Sequence, residues 1–125
     1  MTGPIVFIVS EDAPVRQSVT ALVESASLRA VTFPTVQALL DAKTPESCGC
    51  LVFYARNSTL GEPAQQARLA AACAARPGIL ITERGNVSTA VHALKAGITE
   101  VVQKPYRDRD LLERIVKVLE VSGPV

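Results

Sequence analysis

Ile5-Val6-Phe7-Ile8-Val9, followed at once by Ser10-Glu11-Asp12-Ala13-Pro14, is the stretch that decides the fold of this chain. A short, unbroken apolar run rich in β-branched residues lacks the alternation of a half-exposed strand. It is the pattern of a parallel strand buried on both faces. The run stops in polar residues, and Asp12 is placed to cap a helix with Pro14 in its first turn. Val15, Val19, Leu22 and Val23 then recur at helical spacing.

Outward from this first unit the same pattern repeats. Arg29–Phe33 reads as a second strand, and residues 35–42 as a helix capped by Thr35. After a polar loop, Cys50-Leu51-Val52-Phe53-Tyr54 is a third apolar strand, followed by a loop at 55–61. The alanine-rich stretch Pro63–Ala75 is a helix ended by Pro77-Gly78. Ile79–Thr82 is a fourth strand. Asn86 caps the next helix, which is expected to carry Ala90, Val91 and Leu94 inward and to stop at Gly97. Thr99–Gln103 is the fifth strand. Asp108 or Asp110 opens a last helix, with Leu111, Leu112, Ile115, Val116 and Leu119 on its apolar face. Five βα units in succession predict an α/β fold, a doubly wound parallel sheet of strand order 2-1-3-4-5. Chemistry is then expected at the carboxyl ends of the first and third strands.

Composition agrees with one ordinary domain over residues 1–125, its core at about 4–120 and 121–125 a tail or linker. The chain has 125 residues, 48% of them hydrophobic, and a formal net charge of +1. That is enough apolar material for a core without disulfides or metal. The balanced charge gives no basic stripe for nucleic acid or anionic lipid. No apolar run approaches the roughly 20 residues of a membrane span, and the Met1–Pro4 start is not a signal peptide. A cytoplasmic location is expected. The cysteines, Cys48, Cys50 and Cys73, are read as small hydrophobes, because no fourth ligand lies at zinc-site spacing and His92 is far away in sequence. Neither a cofactor nor a metal is expected.

Ser10, Glu11, Tyr54, Thr82 and Lys104 all fall just past strand ends. With them, Ile81-Thr82, Asn86-Val87, the run Ala90-Val91-His92-Ala93-Leu94-Lys95-Ala96-Gly97 and Gln103-Lys104-Pro105-Tyr106 make this chain resemble a response-regulator receiver domain of two-component signalling. The likeness is greatest to the FixJ-type subfamily and covers roughly Pro4 to Glu120. It implies the flavodoxin-like, CheY-like (βα)5 fold. It also implies a site in which an acidic pair after the first strand and an aspartate ending the third hold Mg²⁺, the aspartate accepting the phosphoryl group. A Thr or Ser and a lysine would then contact that group, and an aromatic on the fifth strand would report it. The resemblance further implies a cis bond before Pro105.

This sequence departs from that pattern. The acidic pair falls on Ser10 and Glu11, with Asp12 next to them, the phosphoacceptor on Tyr54 and the aromatic on Val101. Thr82 and Lys104 match. Ala55-Arg56-Asn57-Ser58 lacks the family's proline. Mg²⁺ demands near-octahedral oxygen ligation, which Glu11 alone supplies poorly. Phenols ionise only near pH ~10, so tyrosine is a poor replacement nucleophile. The expected pocket is a degenerate one in which Glu11 pairs with Lys104 beside the Tyr54 hydroxyl. The expected function is that of a non-enzymatic, phosphorylation-independent interaction module in transcriptional regulation. Two alternatives stay open: phosphate acceptance at Glu11, Asp12 or Ser10, and an anion sensor built on Tyr54, Arg84 and Lys104. The expected partner is a protein, or a second copy of the chain, and not nucleic acid or membrane. It would meet the face of the fourth helix, fifth strand and fifth helix: His92, Lys95, Val102, Arg107, Asp110 and Arg114. His92 itself is read as a solvated surface residue.

Overall fold

The computed structural model describes residues 4–42, 49–54 and 62–122. Cys48, the predicted loop at 55–61 and residues 123–125 lie outside them. The elements alternate without exception: β1 (Ile5–Val9), α1 (Ala13–Ser25), β2 (Arg29–Phe33), α2 (Val36–Asp41), β3 (Gly49–Tyr54), α3 (Pro63–Ala75), β4 (Gly78–Thr82), α4 (Val87–Lys95), β5 (Ile98–Gln103) and α5 (Asp108–Ser122). All neighbouring strands pair in parallel, in the order β2-β1-β3-β4-β5. This is the flavodoxin-like, CheY-like (βα)5 arrangement that the sequence predicts.

The caps form where local chemistry dictates. The side chains of Asp12, Thr35 and Asn86 accept from the backbone N–H of Val15, Ala38 and Thr89 at 3.4, 3.0 and 3.4 Å. Each satisfies one of the donors left over at a helix start. Gly97 follows α4 at φ +109°, a left-handed conformation that an L side chain rarely adopts. A Cβ there would also crowd Cys73. The last helix runs through Ser122, two residues into the expected tail.

Two buried layers cover the sheet. On one face Val6, Ile8, Cys50, Val52, Tyr54, Ile79, Ile81 and Val102 meet Val19 and Val23 of α1 and Leu111, Ile115 and Val118 of α5. On the other, Ile5, Phe7, Val9, Leu51, Phe53, Leu80 and Ile98 meet Val36 and Leu39 of α2, Leu69 and Ala72 of α3, and Ala93 and Ala96 around the end of α4. The two free cysteines described split between them, Cys50 in the first and Cys73 at the edge of the second.

Four expectations about faces need correction. The inward face of α4 is Thr89 and Ala93, while Val91 and Leu94 point outward at 43% and 52% exposure. The strands beneath, β4 and β5, already supply Leu80, Ile98 and Val101, so the helix fits with small residues inward. His92 is half-buried, and its Nδ1 lies away from solvent without a hydrogen-bond partner among the described residues. On α5, Val116 is exposed and Val118 takes the buried place. Val102 is buried beneath α5 instead of facing outward. A register shift opposite Gly78 and Ile79 inserts Thr99 as an extra residue, and its hydroxyl donates to the Gly78 carbonyl at 3.1 Å. Such a bulge shifts the inside–outside alternation of the strand by one.

Candidate functional site

The carboxyl ends of β1, β3, β4 and β5 bring Ser10, Tyr54, Thr82 and Lys104 to one edge of the sheet. The Lys104 backbone N–H donates to the Thr82 carbonyl at 2.8 Å, carrying the β4–β5 pairing one residue past the strand. The next peptide, Lys104–Pro105, is cis.

The side chains there form a closed set. Tyr54 is buried, and its hydroxyl donates to Glu83 Oε1. Lys104 Nζ stands 4.0 Å from the same carboxylate oxygen and 4.2 Å from the centroid of the Tyr54 ring. The ammonium therefore has an aromatic face and a carboxylate as neighbours. A cation over an aromatic face contributes about 0.5–1 kcal/mol at exposed sites and more when desolvated. The ion pair adds little by charge alone, because both partners remain partly exposed and water screens them. Tyr106 lines the adjoining open cleft of about 770 Å³ with Glu83, Arg84 and Lys104. Burial, and then the nearby Asp108 and Tyr54, push the Tyr106 phenol above its ordinary pKa.

The expected Glu11–Lys104 pair does not form; the acid beside Lys104 is Glu83. Strand order explains the difference. In the sequence β1-β3-β4-β5, Glu11 follows a strand three places from β5, at roughly 4.8 Å per place. Glu83 follows β4, which lies between β3 with Tyr54 and β5 with Lys104. The signal was available: Glu83 is the first residue beyond Thr82 on the one strand adjacent to both partners. Glu11 is exposed and lines a separate cleft with Ser10, Asp12, Tyr54 and Arg68.

Ser10 and Asp12 serve the β1–α1 turn. The buried Ser10 hydroxyl accepts from the Asp12 N–H at 3.0 Å, and its carbonyl accepts from Arg16 at 2.5 Å. The Thr82 hydroxyl is buried and has no hydrogen-bond partner among the described residues. A divalent cation of the kind the fold family implies does not fit these donors. Such an ion needs convergent, unencumbered oxygens, whereas the Ser10 hydroxyl is engaged in the turn and the Tyr54 hydroxyl is bonded to Glu83. Among the described residues, no three His, Cys, Asp or Glu side chains gather as a metal-binding group. Val101 is half-buried and packs on the α4 side of the sheet.

Of the residues expected on the interaction face, Lys95, Arg107, Asp110 and Arg114 are exposed. Arg114 already has an acid within the chain, Glu100, at 3.5 Å, and Lys117 approaches the same carboxylate at 3.8 Å.

Comparison with known proteins agrees with the fold. Nodulation protein W of Bradyrhizobium diazoefficiens is 34% identical over 119 residues, covering 95% of this chain and 52% of that protein. The chain's relatives and structural neighbours include FixJ-like response-regulator receivers. The transcriptional regulatory protein FixJ of the same organism is 30% identical over 95% of this chain and 58% of its own length. The crystal structure of FixJ-N superposes with a TM-score of 0.78 at 26% identity, covering all of both chains. No family model matches the chain. The chain spans about half the length of the curated relatives it matches. No described helix is long and apolar enough to cross a membrane.

Proposed function

We propose that this chain is a receiver domain that signals without phosphorylation, as a non-enzymatic, cytoplasmic protein-interaction module of a transcriptional regulator. The observation that carries the reading is the Tyr54–Glu83–Lys104 set. Tyr54 ends β3, the position where the resemblance calls for an aspartate nucleophile, and its ring and hydroxyl are committed to neighbours inside the fold. Lys104, the cation that would meet a phosphoryl charge, already has a carboxylate beside it. Of the other candidate acceptors, Ser10 and Asp12 are engaged in the β1–α1 turn, and Glu11 is exposed on a separate cleft, away from Lys104.

Incubation with acetyl phosphate and Mg²⁺, followed by intact mass measurement, tests this. The expected result is no added phosphate, and no response to a beryllium fluoride complex. A Mg²⁺-dependent gain of one phosphate that disappears in Glu11→Gln overturns the proposal.

The output is proposed to pass through the α4–β5–α5 face to a protein partner or a second copy, not to nucleic acid. Support comes from the exposed apolar residues Val87, Val91 and Leu94 on α4, beside the open edge of β5. Lys95, Arg107 and Asp110 supply charge around them. Transcriptional output is taken from the relatives' names and rests on that kinship alone.

A further inference from the structure

Glu83 is joined to three elements at once. Its carboxylate receives the Tyr54 hydroxyl from β3 and faces the Lys104 ammonium from β5. Its backbone carbonyl accepts from Asn86 N–H at 3.2 Å, and Asn86 is the residue whose side chain caps α4. Between them lies Gly85 at φ +84°, a left-handed turn that brings the cap back over the strand end. One residue thus holds the ends of β3 and β5 through its side chain and the segment that starts α4, the helix with the exposed apolar ridge, through its backbone carbonyl.

We propose that Glu83 is the resident anion of this pocket. Its carboxylate occupies the place beside Lys104 that a small oxyanion would otherwise take, and by doing so fixes the start of α4. The assignment rests on the phosphorylation-independent reading and gives it a cause: the site is not merely short of carboxylates, it is filled by one of its own. The chemistry is specific. A carboxylate here accepts from a phenol and neutralises an ammonium held over an aromatic face. A neutral amide in its place keeps the first interaction and loses the second. Glu83→Gln is therefore the discriminating variant, because it preserves shape and the Tyr54 hydrogen bond while removing the charge.

The test is a titration of the wild-type chain, Glu83→Gln and Glu83→Gln/Lys104→Met with inorganic phosphate, read by backbone amide chemical shifts. Hydrogen exchange of residues 87–95 is measured in parallel. Wild type is expected to show no saturable change at Thr82 and Lys104. Glu83→Gln is expected to show a saturable change at both, with an affinity at least roughly fivefold above any residual response of wild type, the scale of one charge about 4 Å away when water screens it. That gain is expected to vanish when Lys104 is also replaced. Exchange in α4 is expected to quicken in Glu83→Gln and to slow again on adding phosphate, a recovery that a purely structural side chain would not give. Equal responses from wild type and Glu83→Gln, or α4 exchange indifferent to both substitution and phosphate, overturn the assignment. A covalent mass gain on wild type counts instead against the phosphorylation-independent reading. The two failures are therefore distinguishable.

Discussion

The two sides of the sheet are filled by opposite strategies. Under α1 and α5 the helices supply the bulk, with Val19, Val23, Leu111, Ile115 and Val118 reaching down onto Val6, Ile8, Val52, Ile79 and Ile81. Under α4 the strands supply it: the layer holds Phe7, Leu51, Phe53 and Leu80 from the strands and only Ala93 and Ala96 from around α4, while α3 adds Leu69 and Ala72. A layer has a fixed volume, so large residues on one partner require small ones on the other. The consequence shows on the outside. The apolar residues that α4 has no room to bury, Val87, Val91 and Leu94, stand at helical spacing in solvent. A helix that is apolar on the face away from its own core suits a second interface.

The largest contrast should come from truncating the two helices in turn. Leu111→Ala or Ile115→Ala is expected to cost about 2–5 kcal/mol, since each removes a fully buried branched side chain. Leu94→Ala or Val91→Ala is expected to change stability by no more than about 0.5 kcal/mol, as for other surface positions. Denaturant unfolding measures both. Similar losses from the two helices would end the comparison.

Enlarging the small residues is the converse experiment. Ala93 is fully buried beneath α4 against side chains that already fill the layer. Ala93→Leu is expected to destabilise by about 1–3 kcal/mol through overpacking. A neutral or stabilising result would mean that unfilled space lies under α4.

The cysteines sharpen the comparison at smaller amplitude. Burial raises the Cys50 thiol from 9.0 to about 12 and the Cys73 thiol from 9.0 to about 11. The folded chain holds these protons more tightly than the unfolded one. Their contribution is therefore complete below pH 9.0 and is lost as pH climbs through those values. Each thiol can take away at most about 1.4 kcal/mol per pH unit above its unfolded value. Thermal unfolding across pH 8 to 10 (roughly one unit either side of a model thiol) should show the fall. Cys50→Val and Cys73→Ala should each flatten it to a similar extent, because both folded values lie above this window and only the unfolded thiols titrate within it; a fall that neither substitution changes would mean that the thiols do not carry it.

Legibility in the sequence follows the range of the interaction. The caps at Asp12, Thr35 and Asn86 were readable because each depends on three or four consecutive residues. The strand order was readable because five apolar runs separated by helices leave few right-handed solutions. What failed depended on lateral neighbours. Glu83 matters because β4 lies between β3 and β5, a fact about the sheet and not about the residues flanking Glu83. The face of α4 is misread when its largest apolar residues are assigned inward, because the volume that Leu80, Ile98 and Val101 of β4 and β5 already fill is a property of the sheet. Val102 was misplaced by the extra residue at Thr99, a bulge that leaves the composition of the strand unchanged.

The smallest expected effect on stability carries the functional content of the comparison. Val91→Glu and Leu94→Glu place charge on side chains that are about half exposed in the single chain, with room for a carboxylate to reach water, so each should fold within about 0.5 kcal/mol of wild type. If the ridge is where a second copy or a partner docks, either substitution buries an unpaired carboxylate in the contact and should abolish association. β5 strengthens the case for this side of the molecule, since it is a sheet edge with unpaired backbone groups beside α4. Arg114→Glu makes the complementary probe, because Arg114 is paired with Glu100 inside the chain. Reversing it removes an exposed intramolecular pair and should leave association largely intact. Sedimentation equilibrium at tens of micromolar on wild type and the three variants reads the outcome. Association lost in both α4 variants and kept in Arg114→Glu locates the contact on the apolar ridge. Association lost only in Arg114→Glu would move it to the charged side of α5 and leave the exposed face of α4 without a role.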